Sequence, residues 1–539
     1  MTRILEPNYT NSFCMKKFLF SSAMLISTFI QAQDIDVLRY RHNLTISDEN
    51  DTLFGRTTIF FRKLSKRDSI ELDLHKISLN GKGMQILSVR SSDEEMPRIR
   101  FKQEKEKCFL FPFFNDFPKD TAWLMIEYKG VPEDGLIISK NKFGDRTFFA
   151  DNWPNRAHKW LPCVDRPDDK ASFEFVVTAP SHYSVISNGI KTEEKEVGSG
   201  MKLTHWKEDI PSPSKVMVIG AAKFATKIYN DSPKDIPVSA WVYPQDSTKG
   251  FYDFAVAPEI LKFFSDYIAP FPYKKLANVQ STTIFGGMEN ASCIFYAENL
   301  VTGDRSSEAT VAHEVAHQWF GDMASEKSFA HLWLSEGFAT YLTNYYWEEK
   351  YGKKAASERW KKDREEVIAF ATASQKAVVD STKDLMSLLN ANSYQKGAWV
   401  LRMFRNEVGD SVFQKIIQTY YNQYKGGNAD TRDFEAVAEK VSGKELTWFF
   451  DQWLFRLGIP DLQITSKVQN NELTLFVKQR GKPYQLTLDV DLILAGGEVV
   501  RKQFEVKTVN NIFKIPVKGG KASFTLDPDV KLLYHLKKQ

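Results

Sequence analysis

The stretch TVAHEVAHQWFGD, residues 310–322, sets His313 and His317 four apart with Glu314 directly after the first histidine. On an α-helix, positions i and i+4 share a face one turn apart, so both imidazoles can offer a ring nitrogen to one ion while Glu314 points about a quarter turn away. Ser306 or Ser307 with Glu308 is placed to cap the start of that helix, and Gly321 to end it just past Phe320. Two histidines and an acid on an ordinary helix surface spell the same letters, so the pattern alone leaves metal binding and plain surface both open. Glu336 bears on the choice. It stands nineteen residues after His317, in LWLSEGFATYL beyond the short connection MASEKSFAH, where a helix hairpin can return it to the histidines. A catalytic zinc takes three protein ligands and keeps one position open for water. Two histidines and one carboxylate meet that demand, and Glu314, outside the ligand set, is placed to take a proton from water made acidic there. His331, five residues before Glu336, reads as packing or support for the ligands rather than as one of them.

A chain of 539 residues must position these groups, which is too long for one core and implies about two to four domains. With 42% apolar, 26% charged and 13% aromatic residues the composition is globular, not disordered. Lys+Arg 72 against Asp+Glu 68 leaves a formal +4 and no basic block, which argues against a nucleic-acid partner. From residue 33 to about 246 the sequence reads as strands: residues 57–63, 69–74, 172–179 and 238–243 are β-branched and aromatic with partial alternation, between Asp/Asn/Gly/Pro turns. A large antiparallel β domain is expected there. Apolar residues then recur at three- and four-residue intervals, so residues 247–458 should be mostly helical, with helices over 254–268, 307–320, 335–352 and 394–409. Alternation returns over 459–539 with turn signals at Asn470-Asn471 and Gly496-Gly497, which implies a small closing β-sandwich.

The amino terminus reads as a leader. Met15-Lys16-Lys17 precedes thirteen apolar-rich residues and then Gln31-Ala32-Gln33, the basic, apolar and small-residue order of a secretory signal. Thirteen residues are too few to span a bilayer as a helix. Met15 is therefore expected to be the true start, residues 1–14 a start-site artefact, and Ala32 the last residue before cleavage. The expected mature protein has no membrane span and is periplasmic or secreted. Cys14, Cys108, Cys163 and Cys293 are too few and too scattered for a disulfide framework.

HEVAHQWFGD, the eighteen-residue spacer to the glutamate of LWLSEGFA, the upstream GGMEN (286–290) and the downstream YQKGAWVLRMF together resemble the gluzincin zinc aminopeptidases, peptidase family M1, the family of alanyl aminopeptidase and leukotriene-A hydrolase. WLPCVDRPDDKASFEF (160–175) and FFDQWLFRLGIP (449–460) extend the resemblance over most of the chain. It implies a multidomain α+β fold: an amino-terminal antiparallel, saddle-like β domain, a thermolysin-like, mostly α catalytic domain, and a small carboxy-terminal β-sandwich. It implies one zinc ion per chain on His313, His317 and Glu336, with Glu314 as general base. Glu289 would bind the free α-amino group by a charge-assisted hydrogen bond, Gly286, Gly287, Met288 and Asn290 would border the substrate, and Tyr394 would donate to the oxyanion. The implied reaction removes the first residue of peptides that have a free amino terminus.

The sequence departs from the family in places. Alanine is common where Gly287 stands. A glutamine or glutamate of the β domain is usual where Trp153 stands, so Asp151 or Asn152 substitutes for it or the amine is held differently. His331 and Ser335 replace a usual Asp and Asn. The sequence ends at Gln539, soon after the small β domain, where larger members continue in a helical domain, and an open active site is expected. A thermolysin-like endopeptidase needs no amine anchor, so Glu289 separates that alternative. A binding protein on a dead peptidase fold is opposed by the intact His313, Glu314, His317, Glu336 and Tyr394, and an epoxide hydrolase activity, for which GGMEN is the only hint, ranks last.

Overall fold

A computed structural model describes residues 34–65, 69–91, 98–112, 120–233, 235–494, 497–517 and 522–537, so the expected leader at residues 15–32 lies outside the described residues. Period-two burial in Ile35–Thr45, Leu53–Lys63 and Thr121–Val131 turns every second side chain into one core, and these three strands pair antiparallel. They form the centre of a seven-stranded sheet completed by Gly83–Ser91 on one side and by Lys170–Pro180, Met201–Pro213 and Ile190–Gly198 on the other. The sheet is not antiparallel throughout. Ile35–Thr45 runs parallel to Lys170–Pro180, a pairing open to it because a long excursion, not a hairpin, joins the two.

The second unit begins earlier than residue 247. Val238–Val242, expected in the β domain, pairs in parallel with Leu276–Ser281 inside a five-stranded sheet that also holds Ala225–Ile228, Cys293–Ala297 and, at its edge, Gly287–Met288. A boundary at 246 therefore cuts a sheet. Leu276–Ser281 is buried along its whole length and needs a neighbour on each side, and Val238–Val242 is one of them.

Helices follow: α1 (Ser247–Asp253), α2 (Ala257–Tyr267), α3 (Glu308–His317), α4 (Trp333–Ala373), α5 (Gly397–Val408), α6 (Asp410–Tyr424), α7 (Thr431–Ser442) and the short α8 (Thr447–Phe450). The helix expected to stop at Gly352 only breaks there, at φ 85° and ψ 165°, and resumes to Ala373. Asn344 hydrogen-bonds both Arg359 and Asp363 across the break, at 2.8 and 2.6 Å. A straight helix would hold those residues more than about 20 Å apart at 1.5 Å per residue, so the two segments of α4 fold back on each other. The carboxy-terminal strands, from Asp461–Gln469 to His535–Leu536, make one four-stranded and one three-stranded sheet. The whole is a multidomain α+β chain: a β-rich amino-terminal part, a mostly helical middle part and closing β strands. Among the described residues, no helix is long and apolar enough to cross a membrane.

Two lysines of the β-rich part reach into the loop that follows α3. Lys215 Nζ lies 2.5 Å from Glu326 Oε1 with both side chains buried, and Lys170 Nζ donates to the carbonyls of Asp322 and Met323. Removing one partner of a buried pair strands the other charge at a cost of about 3–5 kcal/mol, whereas replacing both by apolar groups is close to neutral. Lys215→Met is therefore expected to lower the calorimetric unfolding midpoint markedly, and Lys215→Met combined with Glu326→Leu to recover most of the loss. Equal damage from the single and double variants would show that charge is not what the pair contributes.

Candidate metal centre

Val311, Ala312, Val315 and Ala316 bury one side of α3 against the core, which fixes the direction in which His313 and His317 point. The expected serine cap is not made. Ser307 occupies the N-cap position without a side-chain cap bond, and the start of α3 is pinned instead through Glu308, which accepts from Tyr346, Lys350 and Tyr351 of α4 at 2.8 Å each. The helix ends at His317, three residues before Phe320, where the last turn tightens as Gln318 N and Trp319 N donate to the carbonyls of Val315 and Ala316. The Gln318 side chain turns inward, its Nε2 donating to the Glu289 carbonyl and to Asp322 and its Oε1 accepting from Ser292 N.

Glu336, in the first turn of α4, returns to the histidines. His313 Nε2 and His317 Nε2 lie 3.0 Å apart, and Glu336 Oε2 lies 3.2 and 3.1 Å from them. A tetrahedral ion with bonds of about 2.0–2.1 Å has ligand–ligand edges of about 3.3 Å, so these three atoms already have the spacing of a zinc-type ligand set. The electrostatics agree. Burial alone would lower His317, but the carboxylates of Glu336, Glu289 and Glu314 outweigh it and push the imidazole up to about 10. Burial and the charge on His317 lower His313, and the two imidazoles hold Glu336 far below the usual carboxylate range despite its burial. The cluster therefore demands positive charge, which a divalent cation would supply.

His317 is oriented from behind. Its Nδ1 lies 3.1 Å from the Phe320 carbonyl and 3.0 Å from Ser335 Oγ, which fixes the tautomer that frees Nε2. Gly321 sits at φ 119°, and a Cβ there would run into Ser335 Oγ and His317 Nδ1, so only glycine fits. His331 turns away from the ligands, with Nδ1 2.9 Å from Thr431 Oγ1 at the start of α7.

Glu314 is buried beside the triad, and burial together with Glu289 and Glu336 raises it well above the usual range. Gly287 lets it lie against the sheet edge, since a methyl there would meet its carboxylate. Glu289 is also buried, is raised by burial and by Glu336, and leaves Oε1 without a hydrogen-bond partner among the described residues. Glu289, Glu314 and His317 form a second convergent group. Met288 is buried in the two-residue edge strand with Gly287, Gly286 precedes it, and Asn290 is buried with both side-chain polar atoms unpaired. Tyr394 stands on a π-helical turn, Asn392–Lys396, rather than at the start of an α-helix. Its ring stacks on His313 at 5.9 Å, and burial followed by the charges of Glu336, Glu289 and Glu314 raises its hydroxyl well above the usual range. That placement depends on a close approach of Gly337 in α4 and Gly397 at the head of α5, where a Cβ on either would come about 3 Å from the other's backbone.

Neither suggested substitute for the missing β-domain carboxamide is free. Asp151 is bound by Arg156, Thr283 and Ile284 N, and Asn152 by the carbonyls of Ser214 and Met217 and by Trp160. Trp153 lines the cavity in front of the triad, packed edge-on to Phe285 and Phe329. This cavity holds about 430 Å³. Sequence reasoning had not drawn its other wall: Thr340, Thr343, Arg359, Lys362, Asp363 and Glu366, all of α4, also line it.

With the site described, the chain can be set beside known proteins. Residues 37–216 match the peptidase M1 N-terminal domain and residues 252–453 the peptidase family M1 domain. The chain belongs to peptidase family M1. It is 28% identical over 443 residues to a probable aminopeptidase 2 of Sulfurisphaera tokodaii, covering 77% of this chain and 55% of that protein. It is 26% identical over 429 residues to glutamyl aminopeptidase of Rattus norvegicus, covering 74% and 45% respectively. The structure of Legionella pneumophila aminopeptidase A in complex with aspartic acid superposes with a TM-score of 0.81 at 18% identity, over 94% of this chain and 60% of that one, which speaks for the fold. The M1 chain thus spans about half the length of the curated relatives it matches. M1 aminopeptidases are generally zinc metalloenzymes.

Groups that orient a ligating histidine are worth about 10–100-fold in metal affinity. Because the Phe320 carbonyl would remain on Nδ1, Ser335→Ala is expected near the lower end, about a tenfold weaker hold on a divalent ion in a chelator competition. Unchanged affinity would show that Ser335 does not orient His317.

Proposed function

We propose that this M1 chain is a zinc-dependent aminopeptidase that hydrolyses the first peptide bond of peptides with a free amino terminus. The observation that carries the reading is the pairing of a three-ligand cluster with a buried carboxylate whose Oε1 has no partner, Glu289, one residue beyond the edge strand Gly287–Met288. An endopeptidase site has no use for such an anchor.

His313, His317 and Glu336 would hold the ion, which supplies Lewis acidity, polarising the scissile carbonyl and lowering the pKa of water. Glu289 accepts the α-ammonium and thereby sets the distance from the amino terminus to the reacting bond. The exposed side of the edge strand pairs with the peptide backbone, which glycine at 286 and 287 lets come close. Glu314 takes the proton of the attacking water and delivers it to the leaving nitrogen. Tyr394, stacked on His313, donates its hydroxyl to the oxygen on which negative charge develops.

The test is a panel of aminoacyl fluorogenic amides beside their N-acetylated forms. Free-amine substrates are expected to be cleaved and blocked ones not, with a chelator abolishing turnover and zinc restoring it. Glu289→Ala should lower kcat/KM by about ten- to hundredfold, the worth of a hydrogen bond to a charged group, and Tyr394→Phe should lower kcat by about 10²–10³. Internal cleavage of acetylated peptides would make the protein an endopeptidase instead.

The pattern of residues 15–32 supports export, to the periplasm or beyond the cell. Amino-terminal sequencing of the protein recovered outside the cytoplasm of its native host is expected to read Gln33-Asp34-Ile35. A chain beginning at Met1 or Met15 would overturn that.

A further inference from the structure

The second segment of α4, residues 353–373, gives the cleft one of its walls, and that wall has a back as well as a front. Arg359, Lys362, Asp363 and Glu366 share one arc of the helix, at about 100° per residue, and line the cavity that holds His313, His317 and Glu336. The buried Ala356, Trp360 and Val367 come next round the helix. Arg364 lies beyond them, about 150° from the middle of the cleft arc, so it points away from the cleft.

There it meets the carboxy-terminal β part. Arg364 Nη1 donates to Asp527 Oδ2 at 2.8 Å and to the Leu532 carbonyl at 3.2 Å, and its guanidinium lies 5.2 Å from the centre of the Tyr534 ring. Asp527 is buried and also folds its own turn, accepting from Lys531 N and Leu532 N. The same turn serves a second arginine. Arg402 of α5 donates to the carbonyls of Asp529 and Val530 at 3.2 and 2.8 Å, and its guanidinium lies 4.6 Å from the centre of the Trp360 ring. Trp360 packs in turn on Trp399 of α5, with ring centres 5.1 Å apart. Asp527 at φ 44° and Val530 at φ 55° are both left-handed, and a β-branched residue persists there only where its surroundings over-determine it. Residues 527–532 are thus a turn bent to aim one carboxylate and three carbonyls at two arginines, and both arginines bear on the back of the wall.

We propose that the turn 527–532 clamps this wall in place, and that Arg364, which does not itself line the cleft, is a positioning residue for peptide substrates. The inference rests on the aminopeptidase reading. A peptide that fills the cavity of about 430 Å³ is bounded by the wall as well as by the candidate ligands, so the place of the wall sets how well the peptide is held. The break at Gly352 interrupts the helix between this segment and the one that carries Glu336, so a displaced wall leaves the ligand where it is. Arg364 isolates the clamp better than Arg402 does, because Arg402 also lies 3.8 Å from Glu348 of the first segment.

The experiment compares wild type, Arg364→Met, Arg364→Lys, and Arg364→Met combined with Asp527→Asn, the last of which leaves no buried carboxylate stranded. Each is assayed on pentapeptides carrying the best first residue of the fluorogenic panel and on the aminoacyl amides, the smallest substrates. Backbone hydrogen exchange is followed by mass spectrometry without substrate. Arg364→Met is expected to raise the pentapeptide KM about tenfold with kcat within about twofold, and to leave the aminoacyl amides within about twofold. Exchange over residues 353–373 should quicken about tenfold while α3 keeps its protection. Arg364→Lys should restore part of both, since it returns the charge without the planar fork. The double variant should regain the unfolding temperature lost by Arg364→Met but not the KM, which separates placement from stability. An unchanged pentapeptide KM in Arg364→Met would overturn the proposal. So would a loss of kcat on every substrate that the double variant repairs, which is the mark of a structural role. Wild type inert on every aminoacyl amide and peptide would instead sink the aminopeptidase reading, and exchange would still decide the clamp: unaltered protection of residues 353–373 in Arg364→Met removes it.

Discussion

Five carboxylates, Glu289, Glu314, Asp322, Glu326 and Glu336, are buried in one neighbourhood, and their charge is the constraint around which the centre of this protein is built. Desolvation pushes Glu289, Glu314 and Asp322 upward, and the charge of Glu289 raises the other two further, so the group is tolerable only with positive charge brought to it. His317 answers Glu336, and Lys215 answers Glu326. Lys215 and Lys170 come from the β-rich part, so docking of that part is a condition of the site's electrostatics as well as of its shape. A dication at the three-ligand cluster would complete the same compensation. The fold and such an ion would therefore address one problem, the charge gathered where His313, His317 and Glu336 stand 3.0–3.2 Å apart inside a core.

Glycines set the distances. Gly321 clears the back of His317, Gly287 the side of Glu314, and the Gly337–Gly397 contact lets the turn carrying Tyr394 touch the turn carrying Glu336. Each stands where a methyl group would displace a side chain of the candidate site or spread two helices. The break at Gly352 acts on a longer scale: by folding α4 back it gives the cleft a second wall made from the same helix that supplies a ligand.

What could be read from the sequence follows the range of the interactions. His313, Glu314 and His317 are legible because helix geometry alone relates them, and Glu336 because one hairpin suffices. Glu289 and Tyr394 carry no local signal of their own; only their resemblance to a family singles them out. The strand Val238–Val242 reads correctly as a strand but was assigned to the wrong unit, since propensity does not say which sheet a strand joins. The serine cap at α3 fails for a similar reason, because long-range bonds to Glu308 replaced it. Lys215, Glu326, Ser335 and Arg359 were invisible as members of the site. Their roles depend on partners 15 to 111 residues away, and a lysine or arginine in a polar stretch looks like solvated surface until the fold buries it.

Discrimination in such a cleft comes as much from what is left unpaired as from what is bound. Glu289 Oε1 is buried with no partner among the described residues, and Trp153, in the wall of the same cavity, offers only a donor, which cannot help to accept an ammonium. Asp151 and Asn152 are already saturated. Under the proposed function, a peptide with a free amino terminus would satisfy that oxygen. An acetylated one brings an acyl group to the same place and leaves a buried carboxylate oxygen without a donor, a penalty of the kind that separates substrates by orders of magnitude where apolar contacts separate them by tens. Glu314 is the other carboxylate converging on that point, and under the proposed function it is committed to the proton of water, so the proposed specificity rests on Glu289, whose ionisation the charges of His317 and Lys215 favour against its burial.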